Sequence, residues 1–473
     1  MTRRKQHRTI GYYVWRIVLA FALVGGIFYY APKIYARFQY LPIDKILANS
    51  VLKDRTFQAE VKEIKSGDVR AYLLEEHTNP IVSISFAFQN AGTAYEPENK
   101  FGLALMLTEM LTAGGGEYDA KEFKNICAEH GIKIDFSVSA DNFSGTLQFP
   151  KEFTAKAVEM FKAALYTPRF DETYLALVKK QQLLALQAQQ ERPEQVLATG
   201  FKKFIFAGHP YERDILGVKQ DVLAIETADL DEYRQKMLAQ NNLLVGIAGD
   251  VTADEAQQLL AQLFADLPLQ ASTEKLAALS IETSGEKQAI IRHSAQVVAK
   301  FAVQGTFRNS VDFYPLYLVN YIFGESGLTS RLNQRIREKE GLTYGVYTYL
   351  MINRSAALIA GGFSATPDNF ARAIELLRQE WQRLGLEGVS EEELAQAKKA
   401  LIEAYNLRFA STEGIADMLL AMQVYDLGID FLQKRNDYIK EVTLQEANAA
   451  AKKYFSQEPD LMYIGILEKE EKN

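Results

Sequence analysis

Apolar positions along the chain alternate between a two-residue and a helical period, and the switches mark out elements. The runs Val69–Leu74 and Ile81–Gln89 predict strands, and the apolar run Leu103–Leu111, ended by Gly114-Gly115-Gly116, predicts a helix. A helix near Ala120–His130 and strands at Ile132–Val138 and Phe143–Phe149 follow, and Pro150-Lys151-Glu152-Phe153 opens another helix. The long stretch Tyr174–Leu197 carries Leu175, Leu177, Val178, Leu183, Leu184 and Leu186, which predicts one continuous helix with a face packed on a sheet. Leu243–Ala248 reads as a strand closing this first half.

The same order then recurs. Phe301-Ala302-Val303-Gln304 echoes Phe86-Ala87-Phe88-Gln89, the helical run Tyr314–Phe323 ends at Gly324 and Gly327, and strands follow around Tyr344–Leu350 and Ala357–Ser364. Pro367-Asp368-Asn369-Phe370 opens a helix as Pro150 to Phe153 does, and Leu461–Ile466 is again a closing strand. Three anchors in order, offset by roughly 215, 210 and 217 residues, predict a duplicated domain rather than a solenoid. The fold expected is α+β: two homologous tandem domains, at 55–268 and 288–470, each an antiparallel-rich sheet packed with helices. A Ser-, Thr-, Ala- and Glu-rich linker at 269–287 joins them, and Glu468–Asn473 reads as a solvated tail.

The N-terminus adds a membrane element. Arg3, Arg4, Lys5, His7 and Arg8 make residues 1–10 basic, and Ile17–Ala31 carries no charge. With Arg16 snorkelling toward the headgroups, 11–31 has the length of a membrane span, and 32–54 reads as a stalk. A cleaved signal peptide has the same layout, but Tyr29, Tyr30 and Tyr35 crowd the region where small residues would mark a cleavage site. An uncleaved anchor is therefore the preferred expectation. The positive-inside rule then puts the chain in the inner (cytoplasmic) membrane as a single-pass protein with its body on the periplasmic side. The formal charge of −7 and the lack of a basic stripe beyond the N-terminus argue against a nucleic-acid partner. The single cysteine, Cys127, excludes an internal disulfide and zinc sites built on cysteine pairs, and reads as a small core residue.

Four segments carry a resemblance. Gly102-Leu103-Ala104-Leu105-Met106-Leu107-Thr108-Glu109-Met110-Leu111 resembles the helix bearing the inverted zinc motif His-x-x-Glu-His of the pitrilysin/insulinase peptidases. His209-Pro210-Tyr211, closed by Gly217, is similar to that family's His-Pro-Tyr segment. Asn241–Asp250 is similar to its domain-closing strand, and Ser330–Arg337 with its continuation to Tyr344 to its second-half helix and strand. The order and spacing cover about 55–470, so the chain is identified as resembling this family over nearly its whole body.

The motif's chemistry is absent. Two histidines four apart share a helix face and reach one zinc, and the glutamate beside them acts as base on its water. On the resemblance, the first histidine position is Leu105, the base position is Thr108 and the second histidine position is Glu109. The family's further acidic ligand falls near 184–187, where no Asp or Glu occurs. None of the five histidines pairs with another at helical spacing; a site assembled from distant parts such as His77, His130 and Glu129 stays open. His209 reads as a loop residue holding the turn at Pro210.

The resemblance implies that Arg337 and Tyr344, seven apart, grip the substrate backbone and the oxyanion, which suits a fixed guanidinium fork and a directed phenol donor. The loop Gly324–Gly327 reads either as a substrate contact or as a helix cap, and Ile132–Ser139 either as a peptide-adding edge strand or as packing. Two-subunit members of the family divide the work between a zinc-bearing chain and a partner that keeps the Arg/Tyr pair. The function expected is therefore the non-catalytic, substrate-binding subunit of a heteromeric zinc endopeptidase. It binds no cofactor itself; zinc is expected in the homologous partner subunit, and peptides or unfolded polypeptides are the substrate. The alternatives are a structural or assembly subunit of a membrane complex that reuses the fold, and an independent hydrolase with an unrecognised site.

Overall fold

The computed structural model describes residues 60–405 and 409–466. The basic N-terminus, the expected membrane segment at 11–31, the stalk at 32–54 and the tail from 468 lie outside the described residues. Among those described, no helix is long and apolar enough to cross a membrane.

The first half runs β1 (Lys62–Ser66), β2 (Val69–Glu75), β3 (Ile81–Gln89), α1 (Leu103–Leu111), α2 (Ala120–Glu129), β4 (Lys133–Val138), β5 (Asn142–Pro150), α3 (Thr154–Tyr166), α4 (Glu172–Glu191), α5 (Pro193–Ile205), α6 (Lys219–Ala224), α7 (Thr227–Met237), β6 (Leu243–Gly249) and α8 (Ala253–Phe264). The second half runs β7 (Lys287–Ile290), β8 (Val297–Gln304), α9 (Phe313–Asn320), β9 (Val346–Ile352), β10 (Ala357–Ala365), α10 (Pro367–Glu387), α11 (Glu391–Tyr405), α12 (Thr412–Val424), α13 (Phe431–Glu441), α14 (Leu444–Tyr454) and β11 (Asp460–Ile464).

The strand orders, β1-β2-β6-β3-β5-β4 and β7-β11-β8-β10-β9, superpose once β1 is set aside. In both sheets the pairings are antiparallel except one, β2 with β6 and its counterpart β7 with β11. The duplication reaches single residues. Phe86 stands in register with Gly145, and Phe301 with Gly361; in each case a Cβ on the glycine would come within 2.4 Å of the ring.

Alternation explains the layers. Val82, Ile84, Phe86 and Phe88 of β3 join residues of α1, α3 and α8 in one core. The intervening Ser83, Ser85 and Ala87 are also buried, because α12 of the second half covers that face. Ser85 Oγ donates to Asp417 Oδ1 at 2.6 Å, and Gln423 Nε2 donates to the Val245 carbonyl at 2.6 Å. Gly246 permits the approach, since a Cβ there would lie 2.3 Å from the Ala416 carbonyl oxygen. The exchange is mutual. Leu197, Phe201 and Ile205 of α5 pack with Ala302, Leu358, Ala360, Met462 and Ile464 on the second sheet. Each half therefore lends the other a helix, from equivalent places in the duplicated order.

One expectation is corrected. Tyr174–Leu197 is not one helix on a sheet: the chain breaks at Arg192, whose φ and ψ of −98° and 115° are extended, ahead of Pro193. Proline lacks the N–H that would continue α4 and pushes the residue before it out of the helical region. α4 packs against α1, α5 and α6 instead, so Leu175 and Val178 are buried while Leu177 and Leu184 are 46% and 55% exposed.

Candidate functional site

The helix at the expected zinc motif is held by a buried scaffold. Glu96 is 3% exposed. Its carboxylate accepts from the N–H groups of Gly102 (3.0 Å) and Ala104 (2.7 Å) at the start of α1. Burial pushes its pKa up to about 8, against the pull of those N–H donors. Arg213 Nη1 donates to the carbonyls of Ala94 (3.1 Å) and Glu96 (3.0 Å). Gln182 Nε2 donates to the carbonyls of Gly102 (3.1 Å) and Leu216 (2.9 Å). Gly217, at φ 72°, lies so close to this loop that a Cβ would come within 1.9 Å of the Phe101 carbonyl oxygen. The His209–Gly217 segment thus serves as the cradle of α1.

The same segment ties the halves together. His209 Nδ1 accepts from the Tyr211 N–H at 3.1 Å, which holds the turn at Pro210. Tyr211 is buried; its hydroxyl donates to Asp141 Oδ1 and accepts from the Ser355 N–H at 2.9 Å. Burial first, then the neighbouring Asp141 carboxylate, push the phenol pKa up. Asp141 Oδ2 accepts from the Arg354 N–H at 2.9 Å. The β4–β5 turn of one half is thereby fastened to the β9–β10 turn of the other. Sequence reasoning missed this network, whose one visible signal was Tyr211 within the His-Pro-Tyr segment.

On α1 itself, Leu105 is half-buried and Glu109 is exposed. Thr108 is buried, and its hydroxyl donates to the Leu105 carbonyl at 2.7 Å, so it is spent on its own helix. Positions 184–187 on α4 offer Leu184, Ala185, Leu186 and Gln187. One carboxylate, Glu109, without imidazoles, does not fit zinc. The distant histidines are engaged separately: His77 Nδ1 lies 2.7 Å from Asp250 Oδ1, and His130 Nδ1 lies 2.9 Å from the Ile126 carbonyl oxygen. Among the described residues, no group of three or more His, Cys, Asp and Glu side chains is placed to hold a metal.

The second half differs. Arg337 lies on a wide, π-type helical segment, Asn333–Lys339, with its side chain 39% exposed and Nε 3.5 Å from Glu338 Oε1. Tyr344 is 77% exposed. No hydrogen bond joins Arg337 to Tyr344; both stand at the surface, on either side of Gly341. Their backbone is tightly fixed by Asn333, a buried residue that sequence reasoning did not single out. Asn333 Nδ2 donates to the carbonyls of Gly327 (2.9 Å) and Val346 (2.7 Å), and Oδ1 accepts from the Val346 N–H at 3.2 Å. Thr343 Oγ1 donates to the Ser364 carbonyl at 2.6 Å. Asn333 thus joins the glycine loop, the helix and the start of β9. Strand order leaves β4 and β9 as edges of their sheets.

Two family models match the chain in succession: residues 70–219 match the insulinase (peptidase family M16) model, and residues 224–401 match the peptidase M16 inactive domain model. A non-peptidase homolog YmxG of Helicobacter pylori is 26% identical, across 82% of this chain and 89% of its own length. Among solved structures, a peptidase M16 inactive domain from Pseudomonas fluorescens matches with a TM-score of 0.80 at 23% identity, covering 86% of this chain and 98% of that one. A protease from Helicobacter pylori matches with a TM-score of 0.73 at 16% identity, covering 86% of this chain and 99% of that one. At these identities the structures speak for the fold.

Proposed function

We propose that this chain, which belongs to the insulinase-type peptidase family M16, is the non-catalytic subunit of a two-chain peptidase, holding peptides for a zinc-bearing homologue to cut. The observation that carries the reading is the contrast on one fold. The motif helix is kept and cradled, yet Leu105, Thr108 and Glu109 together do not make a zinc site. Meanwhile Arg337 and Tyr344 remain at the surface on a backbone fixed by Asn333 and Thr343. The chain alone has no peptidase activity. In the complex, the Arg337 guanidinium binds a substrate carbonyl, and the Tyr344 hydroxyl donates to the oxygen that becomes negative as the partner attacks. The body works on the outer side of the inner membrane, tethered by residues 11–31. An assembly subunit with no contact to substrate would give no reason to keep the Arg337/Tyr344 pair exposed.

The test is to purify the chain alone and together with the zinc-bearing M16 chain of the same cell. The chain alone should carry no stoichiometric metal and cleave no unfolded peptide, whereas the pair should cleave. Arg337→Ala and Tyr344→Phe should each lower turnover by about tenfold or more without dissociating the pair. Unchanged turnover in both variants would remove the substrate role and leave assembly alone.

A further inference from the structure

We propose that the polar cavity between the two halves captures the C-terminal carboxylate of an extended peptide. The inference rests on the reading of this chain as a peptide-holding subunit, and adds which end of the peptide is held and where.

The cavity has a volume of about 310 Å³. It opens where the two fastened turns meet, 139–142 from the first half and 353–356 from the second, beside the segment that follows β8 and the end of α12. Arg308 is its central feature. The guanidinium carbon sits 4.7 Å from the centre of the Phe313 ring and 5.4 Å from that of Tyr425, so two rings fix the cation in place without using up its hydrogens. Its Nε is buried and has no hydrogen-bond partner. Asn142, also in the lining, has a buried Oδ1 that likewise lacks a donor.

Among the described residues, Arg308 enters no ion pair with the Asp141 carboxylate of the same lining. Both oxygens of Asp141 are taken, one by the Tyr211 hydroxyl and the other by the Arg354 N–H. Lys275 and Arg354 are exposed in the lining and enter no ion pair among the described residues; the one other carboxylate there, Asp426, is exposed. An idle charged donor and an idle acceptor in one small cavity define the complement: a carboxylate with an N–H close to it. The last residue of a peptide has that pairing. Its two carboxylate oxygens accept from Arg308, and its amide N–H donates to Asn142 Oδ1. A free small carboxylate supplies the first half of that chemistry without the second. The volume lies at the small end for ligand sites, suited to one or two residues and not to a folded partner.

The test uses the full chain without its partner and a fluorescent unstructured peptide, prepared with a free and with an amidated C-terminus, read by anisotropy. The free acid should bind at least about tenfold more tightly than the amide, as the loss of a charge-assisted bond requires. Arg308→Gln should abolish the difference. Asn142→Asp, which keeps the size of the side chain, should weaken the free acid by placing a second negative charge beside it. It also decides the matter should Arg308→Gln fail to fold. Competition by acetate as effective as by N-acetylalanine would assign the site to simple carboxylates and overturn the peptide proposal. Equal binding of acid and amide, or no binding of either, overturns it as well. Cleavage by the two-chain complex is a separate measurement, so the subunit reading stands or falls apart from this site.

Discussion

The motif helix of the first half and the Asn333–Val346 segment of the second are supported in the same way and furnished differently. In both, a buried polar side chain grips backbone groups: Glu96 and Gln182 around α1, Asn333 and Thr343 around the start of β9. On α1 the outward chemistry is gone, with an aliphatic residue at 105 and a hydroxyl turned back on its own helix at 108. In the second segment the Tyr344 side chain is exposed and that of Arg337 partly so, both with donors to spare. Scaffold and chemistry are thus separable: a fold keeps the former for packing reasons whether or not the latter survives.

Breaking the scaffolds should have the largest effect. Asn333→Ala strips the partners from both backbone groups of Val346 and should cost about 3 kcal/mol by urea unfolding. Gln182→Ala should cost about 1–2 kcal/mol, because Gly102 retains another donor for its carbonyl in the Met106 N–H. A reversed ranking would refute the view that the second segment leans harder on its amide clamp. A pH-dependent effect should separate the regions further. Folding holds a proton on Glu96 up to about pH 8, whereas the unfolded chain releases it near the ordinary glutamate value. The folded state therefore binds more protons in that window, and stability should fall as pH rises from about 4.5 to 8. Glu96→Gln should flatten this slope; an unchanged slope would assign it to another group. The smallest effect should come from Tyr344→Phe, whose hydroxyl has no partner among the described residues. Its unfolding midpoint should shift by less than the equivalent of about 0.5 kcal/mol, and a larger loss would mean that Tyr344 packs.

The sheets were legible because their strands alternate cleanly and because the order repeats. β1 and β7 were not, being short edge strands with a charged or mixed pattern. The run 174–197 misled because its leucines satisfy a helical face on either side of Pro193, and periodicity does not say which leucine meets protein and which meets water. The losses at Leu105, Thr108 and Glu109 were readable outright, since ligand chemistry is a matter of residue type. The roles of Asp141, Tyr211 and Asn333 were not, because each depends on backbone groups that are remote in sequence or turned toward it only by the fold. For the same reason nothing in the sequence pattern set α5 and α12 apart from other helices, although each crosses to the opposite sheet.

The lent helices have a consequence for how such a chain is made and destroyed. A nick in the irregular stretch 269–286 leaves two pieces that still clasp one another, so proteolysis there yields a particle of unchanged size. A ribosome that stops at the same place releases something different: a sheet with its Ser83–Ala87 side bare, unable to finish itself, and a natural client for cellular quality control.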